Sequence, residues 1–285
     1  MKPIEQTTAL VTGATDGLGR GVAERLAAAG ADLHLHGRDS ERLGTTAEEI
    51  RDATGNERIQ THLADLSSLH QVRALADEVQ GSAEQLGLLI NNAGIGTGKP
   101  DLPVRQESRD GYELRFAVNY LSGFLLTLRL LGLLRASAPA RVVFVASLGQ
   151  APLDFDDVML ERSYEAMRAY SQSKLAQINL ANFLAERVPA EQVTFNSLHP
   201  ASLMPTKIVL QQAGRSIDTL EEGIDATMRL ATDPELDGVS GRFFDRQEEA
   251  AAHGQAYDTE AQRRLWGLSL QLTGENDPFP APVAA

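Results

Sequence analysis

Short β-rich runs alternate with helix-patterned segments along nearly the whole chain, and this alternation narrows the choice of fold more than anything else in the sequence. "TALVT" (8–12) reads as a buried strand. Leu18, Val22 and Leu26 recur at fourfold spacing in a helix that ends at Gly30. "ADLHLHG" (31–37) is the next strand, and a helix over 40–53 opens with Ser40 as its N-cap. A strand over 58–64 follows, then a helix over 68–79 with Leu69, Val72, Leu75, Ala76 and Val79 on one face. Further strands are expected at 86–94, 141–147, 193–199 and, last, 241–245, with helices around 111–135, 163–187 and 258–272. Strands that alternate with helices build βαβ units and a parallel sheet. Connection rules then favour a doubly wound sheet of about seven strands with helices on both faces. One domain is expected over 1–275, followed by a Pro/Ala-rich tail over 276–285.

Composition removes several function classes. The 285 residues are 42% hydrophobic and 23% charged, an ordinary soluble balance for one large core. A net charge of −13 argues against nucleic acid or an anionic membrane as the main partner. There is no cysteine, which excludes disulfides, thiol catalysis and thiolate metal sites. The six histidines form no ligand-pair motif, so no metal is expected. The first residues, "MKPIEQTTALVTG", lack the apolar run of a signal peptide. The longest charge-free apolar run, 116–128, is shorter than the ~20 residues a bilayer span needs, and reads as a buried helix. These points predict a cytoplasmic protein without a membrane anchor.

"TGATDGLG" (12–19) lies between the first strand and the first helix. Gly13, Gly17 and Gly19 let backbone turn sharply and approach a ligand, and the helix N-terminus aims its amides and dipole at the same point. That suits a pyrophosphate. The second strand ends at Gly37-Arg38, where an NAD-preferring site usually carries an acid. A guanidinium there suits a ribose 2′-phosphate, so NADP(H) is expected, with Asp39 beside it as a partial counter-charge and Asp16 as a competing anion. "YSQSK" (170–174) places Tyr170 and Lys174 at i and i+4, on one helix face. A phenol beside an ammonium is expected below its usual pKa of ~10, which suits proton donation near neutral pH. The same spacing is common on plain helix surfaces, so the pair alone decides nothing.

Taken in order, these motifs resemble the short-chain dehydrogenase/reductase superfamily, and the resemblance covers most of the chain. Gly13, Gly17 and Gly19 match its TGxxxGxG turn, Asp65 in "ADLSS" its adenine-holding acid, and "NNAG" (91–94) its signature after strand four. Asn119, Ser147, Tyr170 and Lys174 match its four catalytic positions. Ser147 and Tyr170 are 23 residues apart, and the stretch "PLDFDDVMLERSYEAMRAYSQSKLA" and the segments "SGRFFD" and "RRLWGLSLQLTG" are similar to retinol-dehydrogenase-like members. Many such vertebrate enzymes carry an N-terminal anchor that this chain lacks, so retinoid chemistry is not carried over.

The resemblance implies a Rossmann-type fold and a hydride transfer between NADP(H) and a carbonyl or alcohol substrate, with ketone or aldehyde reduction favoured. Ser147 would hold the carbonyl and Tyr170 donate the proton. Lys174 would tune the phenol and bind ribose, and Asn119 would hold a water. It implies cofactor contacts from Gly13, Thr15, Asp16, Gly17, Leu18, Gly19, Arg38, Asp65, Leu66, Asn92, Ala93, Gly94, Tyr170, Lys174, Pro200, Leu203 and Thr206. The loop "HPASLMPT" (199–206) departs from the family, with Ala201 where glycine is usual and Thr206 one place late. The insert at 148–163 has two readings, a lid or a packed edge. Two competing functions remain at this stage, an extended-type epimerase or dehydratase and a redox-sensing regulator. The intact Ser147, Tyr170 and Lys174 weigh against the regulator. A homodimer or homotetramer is expected from the apolar surplus of "FLLTLRLLGLL" (124–134).

Overall fold

The structure is a computed structural model that describes residues 1–98, 104–205 and 216–279. Its eight strands are β1 (Thr8–Val11), β2 (Asp32–Gly37), β3 (Ile59–Leu63), β4 (Leu88–Asn91), β5 (Ala140–Val145), β6 (Val193–His199), β7 (Phe243–Asp245) and β8 (Glu248–Ala250). They form one sheet in the order β3-β2-β1-β4-β5-β6-β7-β8, parallel except for the β7–β8 hairpin. β8 was not expected. It is a three-residue edge strand with Glu248 and Glu249 exposed, too short and too polar to leave a strand pattern.

The strand residues alternate between two apolar cores, as a pleated sheet buried on both faces requires. In β5, Val143 and Val145 face one core, while Val142 and Phe144 face the other. The first core is closed by α1 (Gly17–Ala28), α2 (Ser40–Thr54) and α6 (Leu220–Thr232). The second is closed by α3 (Leu69–Ser82), α4 (Ser122–Ala136), α5 (Ala166–Ala185) and α7 (Thr259–Thr273). Asp39, not Ser40, caps α2, its carboxylate accepting from the Arg42 amide at 3.0 Å. Ser40 is already the first helical residue.

Helix α4 begins with a π-turn, Phe116–Leu121, that widens the backbone around Asn119. Together they run 21 residues, long and apolar enough to cross a membrane by length and composition. Within this fold 72% of the most apolar window is buried, and Arg129 and Arg135 lie inside the helix rather than ending it. The apolar surplus of α4 is likewise met in part within the chain. Trp266 of α7 sits edge-on to Phe124 at 5.2 Å and stacks on Phe183 of α5 at 4.4 Å, with Phe279 5.8 Å away. Tyr120 and Ser269 share a hydrogen bond of 2.6 Å beneath them. Part of the apolar face of 124–134 that suggested an assembly is thus met by α7 of the same chain.

Candidate active site

The order β3-β2-β1-β4 reverses direction between β1 and β4, and ligands of such sheets bind outside the strand ends at that point. The glycine turn leaves β1 there and "NNAG" leaves β4 beside it. Gly13 and Gly17 have φ of +67° and +51°, in the left-handed region that favours glycine. A Cβ on Gly19 would strike the Gly13 carbonyl and Asn92 Nδ2, and one on Gly13 would lie 3.0 Å from Ala93 Cα. The loops are thus packed backbone to backbone, leaving the N-terminus of α1 open towards the crevice.

"NNAG" braces that turn. Asn92 Nδ2 donates to the carbonyls of Thr12 and Gly13 at 2.8 and 3.2 Å. The Thr12 hydroxyl accepts from the amides of Asn92 and Ala93, both at 3.0 Å, and donates to Ile90. Thr12 was missed in the sequence, although it is the first letter of the motif that was read. Thr15 is half-buried and packs on Gly37, where a Cβ would meet its methyl at 2.6 Å. Leu18 and Leu66 send their side chains into the two cores, leaving only backbone for a ligand.

Asp16 caps α1, its carboxylate accepting from the Gly17 amide at 2.8 Å. Its other oxygen meets Arg42 of α2 at 3.1 Å, so this anion has a cation across from it. Arg38 is exposed just past β2. Its charge reaches Asp65, while the Asp39 carboxylate caps α2. Burial alone would raise the Asp65 pKa. The Ser67 amide and hydroxyl, with Arg109 and Arg38, hold it below its ordinary value. This end of the crevice thus gathers Arg38, Arg42, Asp16 and Asp65. Arg42 gave no signal in the sequence because only the fold brings the first turn of α2 to the glycine turn.

Ser147 follows β5 and is buried. Its Oγ accepts from the Gly149 amide at 3.0 Å, and its hydroxyl also hydrogen-bonds the Tyr170 phenol. A Cβ at Gly149 would lie 3.4 Å from Ser147 Oγ and 3.7 Å from the Tyr170 ring, so both side chains border one small space. Lys174 Nζ stands 5.8 Å from the Tyr170 ring centroid, on the shared face. It donates to the Val145 carbonyl at 2.8 Å and to Gln177 Oε1 at 3.1 Å. Gln177, three residues on, was also missed. Helical spacing could have found it.

The sign of the Tyr170 shift is opposite to expectation. Burial raises its pKa, and the hydrogen bond with Ser147 lowers it only in part. Burial also pulls Lys174 down to about 7, so the ammonium is a weaker source of field than the spacing implied.

Asn119, at the centre of the π-turn, is held by protein partners. Its Oδ1 accepts from the Ile95 amide at 2.7 Å, and its Nδ2 donates to the Ile95 carbonyl and Ser173 Oγ at 3.0 and 2.9 Å. Gly94 lies between Asn119 and Lys174, where a Cβ would be 3.3 and 3.5 Å from the two side chains. One turn earlier, Arg115 grips the carbonyls of Gly96 and Thr97 at 3.1 and 2.9 Å. The start of α4 thus fixes three consecutive residues of the loop after β4.

After β6, Pro200 and Ala201 are buried, and Leu203 is exposed with φ +46°. The amide and carbonyl of Ser202 both bond Asp218, whose carboxylate also meets Arg246 at 2.6 Å. Thr206 lies outside the described residues. The insert at 148–163 is packed: Leu153, Val158 and Leu160 are buried, and Gln172 of α5 donates to the Val158 carbonyl at 2.6 Å. Among the described residues no group of acids and histidines could hold a metal ion.

The family profile described as short chain dehydrogenase matches residues 7–213. The chain is 36% identical to human retinol dehydrogenase 14 over 94% of its length and 86% of that protein. It is 38% identical to mouse polyprenol dehydrogenase over 96% of its length and 86% of that protein. The solved Pseudomonas aeruginosa RhlG/NADP active-site complex superposes with a TM-score of 0.68 at 28% identity, over 86% of this chain and 97% of that one.

Proposed function

The chain belongs to the short-chain dehydrogenase family of oxidoreductases, and from that premise we propose an NADP(H)-dependent reductase of ketones or aldehydes carried on apolar molecules. The observation that carries the reading is the convergence of Ser147, Tyr170 and Lys174 beside a glycine turn at the switch point of the sheet.

The bound nicotinamide supplies the hydride. Hydride arrival builds negative charge on the carbonyl oxygen, which needs a hydrogen-bond donor and a proton. Ser147 donates its hydroxyl hydrogen to that oxygen while its Oγ keeps accepting from the Gly149 amide. Tyr170 gives the proton. A phenol held above its ordinary pKa carries that proton at neutral pH, the state reduction requires. Lys174 offers its remaining N–H to the ribose hydroxyls, anchored by Val145 and Gln177. Asn119 and Arg115 hold the loop that borders the substrate.

Arg38, exposed just past β2, supports NADP(H), and Arg42 pairs with the Asp16 carboxylate that would otherwise oppose a phosphate. Three exposed apolar side chains support an apolar substrate: Leu148 next to Ser147, Met167 one turn before Tyr170, and Leu203 near Pro200. The names of the two dehydrogenase relatives favour a second reading in which the alcohol is oxidised.

A panel of apolar ketones, aldehydes and their alcohols, followed by nicotinamide absorbance with NADPH, NADH and their oxidised forms, tests this. Faster reduction with NADPH is expected. Turnover confined to alcohol oxidation would favour the second reading, and no turnover with either dinucleotide would defeat both.

A further inference from the structure

We propose that His36 is a positioning residue for the dinucleotide, one imidazole tying the glycine turn to the strand end that carries Asp65. The inference rests on the dinucleotide reading above. His36 is the next-to-last residue of β2 and only 2% exposed. Its Nδ1 lies 3.1 Å from the Gly13 amide nitrogen, and its Nε2 lies 3.0 Å from the Ala64 carbonyl oxygen. A peptide N–H can only donate and a carbonyl oxygen can only accept. Nδ1 must therefore carry the lone pair and Nε2 the proton. Both ring nitrogens are used, each in the one role its partner permits.

The bridge spans three strand ends. Gly13 opens the turn after β1, His36 stands one residue before the end of β2, and Ala64 follows β3 and directly precedes Asp65. Main-chain bonds run alongside, from the Ala14 amide to the His36 carbonyl at 2.9 Å and from the Ala64 amide to the Gly37 carbonyl at 3.1 Å. Those bonds and Asn92 hold the Thr12 and Gly13 carbonyls and the Ala14 amide, while the Gly13 N–H itself is taken by His36 Nδ1. Gly13 has left the β1 ladder and adopts positive φ, and glycine has no side chain to restrict it. A partly buried amide without an acceptor is costly, so the imidazole selects the conformer in which the Gly13 N–H points at β2. The same choice aims the following amides of the turn at the crevice. His36 thus acts on the ligand through the turn, without touching it.

Three substitutions separate the two bonds. His36→Asn puts an amide oxygen where Nδ1 lies, keeping the acceptor for Gly13 and giving up Ala64. His36→Gln reaches Ala64 with its amide nitrogen and gives up Gly13. His36→Leu gives up both at similar bulk. Dissociation constants for NADPH and NADH come from nicotinamide fluorescence, with Tm recorded for each variant. The Leu and Gln forms should bind about tenfold or more weakly, and the Asn form within about threefold of wild type, as one lost hydrogen bond implies. That order should not follow Tm. Affinities that track Tm across the three would make His36 a packing residue and overturn the proposal, as would Gln binding as tightly as Asn. If the Leu form fails to fold, the Asn–Gln pair decides alone. Wild type that binds neither dinucleotide would overturn the oxidoreductase reading and this inference with it. Wild-type binding that survives all three changes would overturn this inference only.

Discussion

At the scale of residues, the spacing of Tyr170 and Lys174 correctly predicted a shared face but not the electrostatics. Identity and periodicity place groups on a surface, whereas a pKa depends on how much water the finished fold removes. Burial moves both groups towards their neutral forms. Tyr170→Phe removes only the phenolic proton, so turnover should drop by about a hundredfold or more while dinucleotide still binds. Activity within a few-fold of wild type would exclude Tyr170 as the donor. Lys174 is a buried cation whose pKa falls from 10.5 to about 7, so it opposes folding below pH 7 and ceases to do so as pH rises towards 10.5. Lys174→Met should inactivate the enzyme yet raise stability at pH 6 by about 1–3 kcal/mol, allowing for its two lost hydrogen bonds. A lower urea midpoint in that variant would refute this. Arg38→Asp should weaken NADPH roughly ten- to a hundredfold relative to NADH. Equal kcat/KM for the two cofactors in wild type would remove Arg38 from its assigned role.

At the scale of elements, long periodic segments were legible and short or capped ones were not. The five apolar positions of α3 were read correctly and all are buried. Helix α6 was missed, even though Thr219 and Glu222 spell a capping box at its start. The Thr219 hydroxyl accepts the Glu222 amide at 3.2 Å, and Glu222 accepts the Thr219 amide at 2.7 Å. Thr219→Ala should cost about 1 kcal/mol in urea unfolding with little change in turnover. A loss of cofactor binding would instead make α6 part of the site. The π-turn left no signature either; what accompanies it is the grip of Asn119 and Arg115 on the preceding loop, which no local pattern shows.

At the scale of the whole molecule, the doubly wound sheet could be read from the sequence, while contacts between distant segments could not. Apolar periodicity in α4 says that a face needs covering but not by what, and the cover lies more than a hundred residues on. Trp266→Ala should cost about 3–5 kcal/mol, since it empties the stack between α4, α5 and α7. A change below 1 kcal/mol would mean that α7 is only loosely seated. The histidines of β2 add a pH dependence. His34 is buried, stacked on His62 at 5.0 Å, with Glu78 beyond, and burial lowers it to about 4. Its neutral form is the folded one, so its contribution is complete above pH 6.5 and is lost as pH falls towards 4. His34→Leu should flatten the fall of the urea midpoint across that window, and an unchanged slope would reject the assignment. The late position of α7 also bears on how the protein is made. Residues 259–273 leave the ribosome only after α4 and α5 have emerged, and at usual elongation rates the delay is on the order of 10 s. For that interval Phe124 and Phe183 lack their Trp266 cover, so the yield of the protein in cells should depend on chaperone supply more than its equilibrium stability suggests.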